Sequence, residues 1–86
     1  MISLLEALSD YAHGAWSGWM SYMFSKSVRN EDGSVTIPAS LVERWTRQMS
    51  TPYWMLPENE KDSDRMEAKK MMEIAGLEEE DGLRKE

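Results

Sequence analysis

Apolar residues recur at spacings of three and four through the first part of the chain: Leu4, Leu5, Leu8, Ala12, Ala15, Trp16, Trp19, Met20 and Met23. That period gathers them on one face of a helix. Ser3, with Glu6 three residues later, supplies a capping box in which hydroxyl and carboxylate satisfy free amide donors reciprocally. Gly14 and Gly18 interrupt this helix at a cost of about 1 kcal/mol each relative to alanine. Beside Trp16 and Trp19, they imply either close helix–helix packing or an opening for a ligand.

The stretch "RNEDGSVTIP" then abandons the helical period. Asp32-Gly33 is strong turn chemistry, and the alternating, β-branched "SVTI" predicts a brief strand. Pro38 suits the first turn of a second helix, "ASLVERWTRQM", whose apolar face is Leu41, Val42, Trp45 and Met49. Arg44, Arg47 and Gln48 fall on its flanks. "STPYWMLP" reads as a loop, because Thr51 and Leu56 each precede a proline and are driven towards extended geometry. A third helix starts near Pro57, with Glu58 and Glu60 in its first turn, where the helix dipole favours negative charge. It carries a narrow apolar stripe of Ala68, Met71, Met72 and Ala75 and ends at Gly76, with Leu77 placed to fold back on Met72 or Glu73.

The expected fold is therefore mainly α: a compact bundle of about three helices with a short strand or hairpin near residues 28–37. One helical domain spans 1–76, and the charged segment 77–86 is expected to be a disordered tail.

Composition narrows the function. At 86 residues the core is thin, and without cysteine neither a disulfide nor a Cys-based zinc site is available. A single histidine leaves carboxylates as the main metal ligands on offer, so no metal or cofactor is expected. "MISLLEALSD" lacks the basic start and apolar run of a secretion signal. No stretch approaches the ~18 apolar residues of a membrane span. A cytoplasmic location is expected. The formal net charge of −6 argues against duplex nucleic acid. Residues 1–50 hold four basic side chains against five acidic, whereas 51–86 hold six against eleven. A small anionic ligand could meet a local positive patch in the first half.

No nucleophile–base constellation stands out, and a non-enzymatic binding role is expected. Four tryptophans and three tyrosines exceed what a thin core needs, and their faces can stack on a base. Arg44, Arg47 and Arg65 offer forked donors for phosphate or carboxylate. The candidate ligand-binding set is His13, Trp16, Trp19, Arg44, Trp45, Arg47, Tyr53, Lys61 and Arg65, with Glu60 and Asp64 supporting. His13 is expected to face the carboxylates that open the third helix and so to link it to the first.

Three segments carry a resemblance: "HGAWSGW", the Ile37-Pro38 helix start, and "TPYWMLPENEKDSDRMEA". Together, over about residues 10–75, the chain resembles the RyR repeat domain, which also occurs in short bacterial and bacteriophage proteins. Tyr53, Leu56, Glu58, Glu60, Lys61, Asp64 and Arg65 fall in register on that family's closing motif. The resemblance implies a helical fold with a short strand pair, and recognition of a nucleotide or nucleotide-derived signal such as a cyclic oligonucleotide. The alternative expectation is a protein–protein interaction module, homo-oligomeric or bound to a host protein, favoured by eight methionines. Whether residues 53–65 contact a ligand or only lock the helices together stays open at this level.

Overall fold

A computed structural model describes residues 2–76; the Leu77 fold-back and the 77–86 tail lie outside the described residues. The chain is mainly α: three helices and a two-stranded antiparallel hairpin, in the order the sequence patterns predict. Helix α1 runs over Leu4–Lys26. The Oγ of Ser3 accepts the Glu6 amide at 3.1 Å, the hydroxyl half of the capping box. Lys26 lies in the last turn, where the dipole favours a cation.

Strand β1, Val28–Arg29, pairs with β2, Val35–Thr36, in the register Val28 to Thr36 and Arg29 to Val35. The turn between them is locked by side chains. Asp32 Oδ1 accepts both the amide and the hydroxyl of Ser34, at 2.9 and 2.6 Å, and these bonds hold its carboxyl below the usual carboxylate range. Gly33 supplies the positive φ of 92° that this turn demands.

Each remaining helical segment begins at a proline. Helix α2, Ala39–Ser50, follows Pro38; a single 3₁₀ turn, Tyr53–Met55, follows Pro52; helix α3, Glu58–Ala75, follows Pro57. A proline presets φ near −60° and has no amide to leave unpaired, and its carbonyl accepts the first amides of the turn. The Tyr53–Met55 turn corrects the expected loop: prolines at 52 and 57 enforce extended geometry only at the residues before them, leaving the three between free to coil. Helix α3 ends as expected, with Gly76 left-handed at φ 76° and its amide on the Glu73 carbonyl.

The packing is thin. The most extensive helix pairing is α1 with α3. The Cα radius of gyration is 17.0 Å; a closed domain of this length has about 12 Å. The shortest dimension, 16 Å, leaves room for about two helices packed at the usual 8–10 Å spacing. As a result, no described side chain is fully buried. On α2, Leu41 and Trp45 are half-covered, but Val42 and Met49, expected on the same inward face, are exposed. Among the described residues no helix is long and apolar enough to cross a membrane.

Candidate functional site

The segment from Tyr53 to Arg65 is a charge network built largely on one helix. Arg65 Nε donates to the Tyr53 hydroxyl at 3.0 Å, and Nη1 donates to Glu58 at 3.0 Å and Asp62 at 2.9 Å. Positions 58, 62 and 65 lie on neighbouring turns of α3, so helical geometry brings these groups together. Lys61 pairs with Glu58 at 3.5 Å and stands 5.8 Å from the centre of the Tyr53 ring, whose edge meets Trp54. The guanidinium of Arg65 is held charged by Glu58 first, then by Asp62 and Tyr53. Reciprocally, Arg65 pushes the Glu58 carboxyl down. Two carboxylates already neutralise this arginine.

A second link joins α2 to α3. Arg47 Nη2 donates to Glu60 Oε2 at 2.6 Å, with the Glu60 side chain only 14% exposed. Arg47 foremost, then Gln48, holds the Glu60 carboxyl below its ordinary value, and burial opposes them. No donor closes on the other oxygen, Oε1, which is sealed from solvent.

Between the helices lies an open groove of about 690 Å³. Trp19 and Tyr22 of α1 and Trp45 of α2 form its aromatic wall; the Trp19 and Trp45 rings meet edge-on at 5.3 Å, and Trp19 and Tyr22 stack at 5.5 Å. Arg44 enters from α2, Glu60 and Asp64 from α3. Neither Arg44 nor Asp64 makes a hydrogen bond or ion pair among the described residues. The groove thus offers three rings, one cation and two carboxylates.

Of the sequence-derived set, the groove brings together Trp19, Arg44 and Trp45 with Glu60 and Asp64. Arg47, Tyr53, Lys61 and Arg65 belong to the two ion-pair networks. His13 and Trp16 line neither this groove nor the one beside Gly14 and Gly18; they stack on each other at 6.0 Å on the exposed side of α1, where His13 Nε2 meets Ser17 Oγ at 3.5 Å. The expected link from His13 to the α3 carboxylates is therefore corrected. The tie is made by Tyr11, whose hydroxyl donates to the Glu67 carboxylate. Tyr11 and His13 are two residues apart, about 200° around a helix, so once Tyr11 faces α3 the imidazole must point away. Sequence reasoning also missed Tyr22; its position three residues after Trp19 was the available signal.

Gly14 and Gly18 line a shallower groove of about 490 Å³ with Tyr11 and Glu67. A Cβ at either glycine would meet nothing within 4 Å. The close helix packing expected there is not formed among the described residues.

No family model matches this chain, and no curated protein or solved structure does either. The likeness to the RyR repeat domain rests on its motif residues alone.

Proposed function

We propose that this chain is a small, non-enzymatic protein-interaction module. One observation carries the reading: among the described residues no side chain is fully buried and fourteen large hydrophobic residues are exposed, including Leu5, Trp16, Trp54 and Met55. Ordering a residue's backbone costs roughly 1–2 kcal/mol, which apolar burial must offset. A chain that covers no side chain completely offers little of that compensation alone, and a partner surface supplies the rest. Where such exposed apolar residues gather into a surface, as Trp19, Tyr22 and Met49 do along one groove, they mark a place for a partner. Met49, Met55, Met66 and Met71 are among them, and flexible thioethers adapt to a facing surface. The Ser17–His13 contact, the nearest approach to a nucleophile and base, sits on an open helix face away from both grooves.

The test is dye binding in dilute solution. The free chain should bind an apolar-surface fluorophore strongly, with weak near-ultraviolet dichroism from its tryptophans. A dilute chain that binds no dye and shows strong tryptophan dichroism overturns the reading.

A second reading retains a nucleotide or cyclic oligonucleotide as ligand, because the Trp19–Tyr22–Trp45 wall stands beside Arg44 in one groove. The charge balance disfavours it. Arg47, Lys61 and Arg65 are paired with carboxylates, so a phosphate entering the groove meets Arg44 together with Glu60 and Asp64. Tryptophan fluorescence that stays unchanged with millimolar mono-, di- and cyclic nucleotides removes this reading.

A further inference from the structure

We infer that the groove face is completed by a second copy of this chain, related by a two-fold axis, with Arg44 of each copy meeting Asp64 of the other. This rests on the interaction-module reading and gives it a specific partner.

The first support is openness. Trp19, Tyr22 and Met49, from two helices, line the groove and stay exposed, so the single chain does not close over its own aromatic wall.

The second support is charge. A two-fold interface sets one patch against itself, so the patch must be its own complement. An acidic chain of net charge −6 has few places where two copies can approach without repulsion. The groove face is one. It presents Arg44 from α2 and Asp64 from α3, neither hydrogen-bonded nor ion-paired among the described residues, while Glu60, the other acid lining the groove, is bonded to Arg47 and feels Arg44 only as a weaker, more distant charge. With the axis passing between Arg44 and Asp64, two-fold rotation sets each against its opposite on the other copy.

The third support is the apolar content between those charges. Trp19 and Trp45 leave ring surface open to the groove, and Met49 at its rim is 81% exposed. Paired aromatic anchors ringed by charges are the composition of an interface centre.

Sedimentation equilibrium on the full chain, from about 1 to 200 µM, tests the inference, because association follows concentration. Wild type should be dimeric. Arg44→Asp and Asp64→Arg should each weaken the dimer roughly tenfold or more by setting like charges together. At concentrations where each variant is dimeric its far-ultraviolet dichroism should match wild type, since neither side chain makes a hydrogen bond within the described chain to lose. An equimolar mixture of the two variants should recover the dimer, because both cross-copy pairs re-form with reversed sign. A mixture that stays monomeric overturns the inference, as does a wild-type dimer indifferent to both variants. Wild type that is monomeric at every concentration also overturns it. In that last case dye binding separates the two levels: a dye-binding monomer leaves the interaction reading standing, and a dye-silent monomer removes both.

Discussion

The charge network around Arg65 and the groove around Arg44 are built from the same materials and end in opposite states. Each has an arginine, acidic side chains and aromatic rings. Around Arg65 every principal group is engaged: the guanidinium reaches Tyr53, Glu58 and Asp62. In the groove, Arg44 and Asp64 stand apart, and the Trp19 and Trp45 rings remain open on one side. The difference lies in connectivity. Glu58, Asp62 and Arg65 ride on one helix, whose own geometry assembles them. Arg44 and Asp64 come from different helices; Arg44 reaches Glu60 only as a distant charge, and a bonded partner for either must come from tertiary closure or a second molecule. Residue type alone does not separate a lock from an open surface.

The largest effect on folding should come from breaking the engaged side. Arg65→Ala strands Glu58 and Asp62 without their shared cation and takes the donor from Tyr53. Its melting midpoint should fall on the order of 5 °C at every protein concentration. Arg44→Ala, by contrast, should act mainly by changing how the midpoint depends on concentration. Equal, concentration-independent losses from both variants would erase the comparison.

Acid should act on the same network. The carboxyl of Glu58 is lowered by Arg65, and that of Glu60 by Arg47. For a depressed carboxyl the unfolded chain binds the proton more readily, so its stabilising contribution is complete above the ordinary value of 4.5. It is lost as pH falls through the lower folded value. Glu60→Gln should therefore be less stable than wild type at neutral pH, by less than Arg65→Ala, and the gap should close below about pH 4. A gap that widens on acidification would reverse the assigned sign.

Much of the fold was legible in the sequence because it is locally determined. Ser3, Pro38, Pro57, Asp32-Gly33 and Gly76 each fix a boundary through their own backbone chemistry. The helix partners were not legible. Spacing marks Arg47, Glu60 and Arg65 as charged and exposed, but Glu60 pairs with an arginine thirteen residues upstream rather than with Arg65 on its own helix. Likewise, the face His13 shows depends on which side of α1 meets α3, and a period of 3.6 residues does not state that phase. Trp19, Arg44 and Trp45 could be nominated from composition, whereas their convergence required the tertiary arrangement.

Two smaller effects sharpen the contrast. Gly14→Ala and Gly18→Ala should each stabilise α1 by about 1 kcal/mol, since the added methyl meets no neighbour and removes the helix cost of glycine. Urea unfolding checks this. A destabilised variant would show that another surface packs closely at these glycines and that the second groove, too, is an interface. Smallest of all, His13→Ala should leave the urea midpoint within experimental error, because exposed substitutions seldom exceed about 0.5 kcal/mol. A clear loss would restore the imidazole as a link between helices.

The most direct measurement follows the near-ultraviolet dichroism of the tryptophans through thermal unfolding at rising protein concentration. If the open faces of the chain are completed by a second copy, the midpoint climbs steadily with concentration as the coupled dimer forms. A sharp transition whose midpoint is the same at the lowest and highest concentrations would mean that the isolated chain is stable with its hydrophobic faces in water, and would contradict the account.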